Sequence, residues 1–177
     1  MAFSLSGLTG SSFAKATRRS VQLPAVKVQT SNAMLRVKLM LAESSDQLDL
    51  SESQLTEVPL EIFELCNLKE LSLSGNRLSY LPSEFSKLTN LTKLQLAGNE
   101  LLSLPEEVGA LKELRGFWAH GNFLEMLPAS FGELTALQKC SLSGNRLQEL
   151  PASVSGLVAL VEFEAAGNRL KKLPDLQ

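Results

Sequence analysis

The single tryptophan and the single histidine of this chain, Trp118 and His120, stand two residues apart, with Phe123 just beyond them and Arg115 just before. Two kinds of chemistry suit such a group. Catalysis is the first, and it needs a nucleophile with a base, a metal cluster or a phosphate-binding loop. His120 has no second histidine to join it at a metal, Cys66 and Cys140 are far apart in the chain, and no G-x-x-x-x-G-K-[ST] stretch occurs. Glu162 and Glu164 are neighbours, but on an open strand they lack the withdrawal from water that acid catalysis requires. Recognition is the second. Tryptophan and arginine dominate the centres of protein–protein interfaces because they bury rigid area and offer planar hydrogen-bond forks. Trp118, His120, Phe123, Arg115, Arg77 and Arg146 are therefore the candidate contact patch for another protein, and no catalytic residue, cofactor or metal is expected.

A repeat positions these side chains. Asn76, Asn99, Asn122, Asn145 and Asn168 recur every 23 residues, and Pro59, Pro82, Pro105, Pro128, Pro151 and Pro174 keep the same period. Such a register settles the architecture before any propensity argument. One unit runs Leu68-Lys69-Glu70-Leu71-Ser72-Leu73-Ser74-Gly75-Asn76-Arg77-Leu78-Ser79-Tyr80-Leu81-Pro82 and continues to Asn90, the pattern L-x-x-L-x-L-x-x-N-x-L. Leu71 and Leu73 alternate with Glu70, Ser72 and Ser74, so a short strand sends one set inward and the other outward. Leu78 and Leu81 enter the core from the following turn, and Phe85 and Leu88 from a convex segment read as a short helix or 3₁₀ turn. Each wedge is too small to fold alone, so the units must stack.

This pattern is identified as a leucine-rich repeat, over residues 46–177. Its turn, G-N-x-L-x-x-L-P in a 23-residue unit, resembles the Ras-group class and the plant intracellular Ras-group-related proteins. The resemblance implies an α/β solenoid, a leucine-rich-repeat horseshoe with a parallel concave sheet of about six short strands. It also implies a protein-binding adaptor or scaffold in signalling, with its ligand on the concave face. Strands are expected near Leu50, Leu73, Leu96, Ala119, Leu142 and Ala165. The asparagines read as a buried ladder that satisfies backbone groups, and the glycine before each as a tight turn. Phe117 with Ala119 and Phe163 with Ala165 exchange volume where Leu-x-Leu is usual. Cys140, at an inward position, reads as a small buried hydrophobe, and both cysteines as free thiols. Asn90, within a glycosylation sequon, reads as a plain surface residue.

Outward positions 23 apart become lateral neighbours. One row is Gln47, Glu70, Lys93, Gly116, Lys139, Glu162; the next is Asp49, Ser72, Gln95, Trp118, Ser141, Glu164; the third is Ser51, Ser74, Ala97, His120, Ser143, Ala166. Past the asparagine runs Arg77, Glu100, Phe123, Arg146, Arg169. Only the fourth unit places an aromatic and a histidine among small and polar residues. The alternative use of Trp118 is to cover neighbouring apolar surface.

The ends differ in composition. Residues 1–42 carry six basic residues and no acid, which leaves eleven basic against nineteen acidic residues in the remainder, a net of −8. That charge disfavours nucleic acid. No stretch reaches the roughly 20 apolar residues of a membrane span, so membrane insertion is not expected. Residues 1–30, rich in hydroxyls and free of acids, resemble a plastid transit peptide, with a disordered tail of a cytoplasmic protein as the alternative. Residues 31–44 are expected to form an N-terminal capping helix that lays Met34, Val37 and Leu41 over the core, and residues 45–177 the six-repeat domain. The sixth unit lacks a polar capping segment after it, so Phe163, Leu170 and Leu173 are expected to be thinly covered. A homo-oligomer assembled through that C-terminal edge is the second functional reading.

Overall fold

The computed structural model describes Lys38, Leu39 and residues 45–171. The transit-peptide segment, Met34, Val37, Leu41 and Leu173 lie outside the described residues. Lys38 and Leu39 are helical, and Leu39 packs partly buried against the core.

Six strands form one parallel sheet in sequence order: β1 Gln47–Asp49, β2 Glu70–Ser72, β3 Lys93–Gln95, β4 Gly116–Trp118, β5 Lys139–Ser141 and β6 Glu162–Glu164. Every pair is in register at 23 residues, so Gln95 faces Trp118 and Trp118 faces Ser141. The strands centre on Leu48, Leu71, Leu94, Phe117, Cys140 and Phe163, two residues before the expected centres. The reason is that parallel bonding persists beyond the strands into the turn: Leu73 and Gly75 still donate to the Gln95 and Ala97 carbonyls at 2.8 Å each. Leu-x-Leu therefore spans the end of the strand and the start of the bend.

Among the described residues the convex side carries five 3₁₀ helices, Leu60–Glu64, Ser83–Lys87, Glu106–Ala110, Ala129–Glu133 and Ala152–Gly156. Each follows a proline whose φ lies between −61° and −73° with extended ψ, the conformation that the pyrrolidine ring imposes. Five residues at the longer 3₁₀ rise, about 2 Å per residue, are enough to return the chain to the next strand, so no α-helix is needed there. Phe85 and Phe131 point from these turns into the core, where Phe131 meets Phe117 edge-on at 5.5 Å. Phe117 and Ala119 are both fully buried, as the volume exchange requires. Cys140 is buried among them, and burial pushes its thiol up to about 12; Cys66 is exposed, and both are free. Asn90, exposed in the turn after the second 3₁₀ helix, ties its coil to the one before by donating to the Cys66 carbonyl at 2.8 Å.

The asparagine ladder joins every coil to the last. The Asn122 carbonyl oxygen accepts the Leu101 N–H at 3.1 Å, while its NH₂ donates to the Leu96 carbonyl at 2.9 Å and to the Ala119 carbonyl at 3.1 Å. Asn76, Asn99, Asn145 and Asn168 repeat the arrangement. The preceding glycines all hold φ between 65° and 69°. At the first unit Glu52 takes that left-handed place at φ 52°, followed by Gln54 at 58°. A side chain there costs about 1 kcal/mol or more, and the terminal unit tolerates it because no earlier described coil stacks on Glu52.

Asn122→Ala should lower stability by at least about 2 kcal/mol, since it strands one buried N–H and two carbonyls. Asn168→Ala, at the partly buried last rung, should cost less than half as much. Equal shifts of the two urea midpoints would contradict this ordering.

Candidate protein-binding face

The three outward rows line an open concave sheet, and β4 is its centre. Trp118 is partly exposed and His120 exposed. The indole folds back along its own strand: a Cβ built on Gly116 would lie 2.3 Å from Cη2 and 2.5 Å from Cζ3 of Trp118. Gly116 is buried for that reason. One edge of the ring thus covers the backbone at Gly116, while Trp118 stays partly exposed. Beside it, Ser74, Gln95, Ala97, Trp118 and His120 enclose a shallow hollow of about 350 Å³.

Charges on the face are paired laterally. Lys93 meets Glu70 and Lys139 meets Glu162, each at 2.7 Å, and Lys69 meets Asp46 at 3.1 Å. At the N-terminal end the Ser51 hydroxyl, at 2.6 Å, and then the Ser51 N–H, at 2.8 Å, hold the Asp49 carboxyl below its ordinary value. On the convex side the Ser130 N–H does the same to Glu106, clamping the third 3₁₀ helix to the fourth. Among the described residues no group of three or more His, Cys, Asp or Glu is placed to hold a metal ion, and no helix is long and apolar enough to cross a membrane.

The six candidate residues fall on β4, at its entry and past the turns that follow the strands. Trp118 and His120 share the sheet. Phe123 and Arg146 sit past the turn, where the guanidinium lies 4.3 Å over the ring centroid, a cation–π contact. Arg77 is exposed two units away along the same row, and Arg115 is exposed at the entry of β4. Sequence reasoning overlooked Tyr80, Leu102 and Met126, which join Phe123 as exposed apolar residues on the loop edge of units two to four. Extending the row alignment a few residues past Asn76 exposes them: Ser79, Leu102, Glu125 in one row and Tyr80, Ser103, Met126 in the next. Gly116 was also overlooked, although it stands alone among charged and amide residues in its row.

The C-terminal end is thinly covered, as expected. Leu160, Phe163 and Leu170 are only partly buried, whereas their counterparts Leu137, Cys140 and Leu147 are closed off. Val158 and Val161 are 82% and 78% exposed.

Comparison with known proteins agrees with the repeat. Residues 46–101 match the leucine rich repeat family. No curated protein matches the chain. Among solved structures, a leucine-rich-repeat protein of Leptospira interrogans is 31% identical with a TM-score of 0.70, over 78% of this chain and 41% of that one. The plant peptide hormone receptor RGFR1 in complex with RGF2 is 32% identical with a TM-score of 0.63, over 72% of this chain and 24% of the receptor. The ectodomain of the Arabidopsis thaliana receptor kinase GASSHO1/SCHENGEN3, in complex with CASPARIAN STRIP INTEGRITY FACTOR 2, is 31% identical with a TM-score of 0.66, over 76% of this chain and 17% of that one. The chain spans less than half the length of each of these structures. The sheet, the ladder and these matches establish a leucine-rich-repeat solenoid.

Gly116→Ala should displace the indole. Because Trp118 is the sole tryptophan, its emission should move to longer wavelength while the unfolding free energy falls by no more than about 1 kcal/mol, the ring being free to swing outward. An unchanged spectrum would show that the ring does not rest on Gly116.

Proposed function

We propose that this chain of leucine-rich repeats is a protein-binding adaptor or scaffold of the plant intracellular Ras-group-related kind, with its partner on the concave sheet. The observation that carries the reading is Trp118: a large aromatic held half open at the middle of a regular polar face, on a strand whose neighbours are stapled by lateral ion pairs. Such a ring is anchored before a partner arrives, which lowers the ordering cost of binding. The G-N-x-L-x-x-L-P turns support the class. The two plant receptors, each solved with a bound ligand, support a protein or peptide as partner. Phe123 with Arg146, and the edge formed by Tyr80, Leu102 and Met126, extend the surface beyond the sheet.

In parallel affinity captures from a chloroplast extract, the unmodified chain should retain a partner that Trp118→Ala loses at least tenfold, with circular dichroism and unfolding midpoint preserved. A folded variant that captures the same proteins equally would refute the reading.

A second reading, self-assembly through the C-terminal end, is favoured by Val158 and Val161. The matching positions in the other units hold Cys66, Thr89, Lys112 and Thr135, and Lys69, Thr92, Arg115 and Gln138. These stay wholly or partly exposed even where a further coil is stacked, so valine there points to a covering other than another repeat. Light scattering behind size exclusion should give a dimer mass that Val158→Ser with Val161→Ser abolishes; a monomer at all concentrations would remove this reading.

The plastid address is also proposed, on the acid-free, hydroxyl-rich composition of residues 1–30. Fused to a fluorescent protein in leaf protoplasts, those residues should direct it into chloroplasts, and a diffuse cytosolic signal would contradict the address.

A further inference from the structure

The concave face has a charge order that its overall acidity conceals. Across the strands the first row runs Glu70, Lys93, Gly116, Lys139, Glu162, and each lysine is paired with the glutamate on the side away from Gly116. Asp49 extends the negative charge at one end, where Asp46 is paired with Lys69, and Glu164 at the other. Arg115, directly before Gly116, adds a third cation at the centre. It is exposed and makes no ion pair among the described residues. The middle of the face is thus cationic, its flanks anionic, and its floor is the indole edge over Gly116.

This order selects its complement. We propose that the concave centre recognises an extended peptide segment with acidic residues at its middle, received between Lys93 and Lys139 and read by Arg115. This rests on the concave sheet being the partner-binding surface. Lys93 on β3 and Lys139 on β5 are two strand spacings apart, about 10 Å, the reach of about three residues of extended chain. A globular surface would have to present its acids on a ridge of that width, whereas an extended segment does so along its own backbone. The guanidinium of Arg115 offers a carboxylate two parallel hydrogen bonds. The two lysines keep spare donors, because an ammonium has three and each glutamate contact uses one at 2.7 Å. Exposed ion pairs of this kind add little stability, so sharing them with an incoming carboxylate is cheap. The hollow bounded by Ser74, Gln95, Ala97, Trp118 and His120 accommodates an apolar side chain next to the acids, against the open part of the indole. The acidic flanks repel a segment that is acidic throughout and favour basic residues on either side, which supplies specificity as well as attraction.

Selection of phage-displayed random twelve-residue peptides on the full chain tests this directly. Selected sequences should carry Asp or Glu beside an aromatic or aliphatic residue, with Lys or Arg towards the ends. A synthetic copy of the leading peptide should change the emission of Trp118 saturably. Arg115→Ala, and separately Lys93→Ala with Lys139→Ala, should each weaken it at least tenfold, while Lys112→Ala on the convex side leaves it unaltered. Selection of peptides with basic centres, selection of none, or titrations indifferent to Arg115 and the two lysines would overturn the proposal. If the extract partner is nevertheless lost with Trp118→Ala, the binding face stands and only the acidic-segment assignment falls; if that partner is retained, both fall.

Discussion

The hydrogen bonds of the asparagine amides across coils are the constraint on which the rest depends. A 23-residue coil cannot satisfy its own bend, because the carbonyls and N–H groups at the turn point into an apolar interior where an unmet bond costs about 1–3 kcal/mol. The carboxamide of Asn99 resolves this for two coils together, accepting from Leu78 and donating to the Leu73 and Leu96 carbonyls. Stability is consequently a chain of neighbour terms. It is highest where rungs lie above and below and falls towards Asn168, which is only partly buried.

The same ladder makes the surface programmable. Register holds at 23 throughout, so outward residues of successive units become lateral neighbours. The ion pairs Lys93–Glu70 and Lys139–Glu162 follow from that register, as does the place of Trp118 between Gln95 and Ser141. The core tolerates only volume exchange, such as Phe117 with Ala119. Outward positions are tied only to their lateral neighbours, as Gly116 is to Trp118 and Lys93 to Glu70, and so vary more freely than the core.

The sequence made the periodic part legible: strand order, inward leucines, buried Asn, left-handed Gly and buried Cys140 all follow from one spacing. The 3₁₀ character of the convex side was less legible, because five residues after a proline show no helical period to read. The site was legible by position but not by geometry. Alternation places Trp118 and Gly116 on one face, yet which way an indole turns depends on what stands two residues before it, and an empty Gly116 draws the ring backwards. Phe123 and Arg77 follow the turn that the glycine rows predict, and the cation–π contact of Arg146 with Phe123 follows from the same 23-residue spacing. Tyr80, Leu102 and Met126 were missed because comparison stopped at the row just past the asparagine.

The two exposed regions of the solenoid differ in what they can accept. A second copy cannot pair comfortably along β6, because antiparallel pairing centred on Phe163 sets Glu162 opposite Glu164 of the other chain, twice by symmetry, and like charges directly opposed destabilise a ladder. Self-association at that end would fall to the connection that bears Val158 and Val161 and leads into β6. The concave face, with cations at its centre and acids at its rim, repels its own copy in the same way only when centre meets centre. Covering the end would leave the register of the face as it is, because the asparagine ladder ties each coil to its neighbour along the whole sheet.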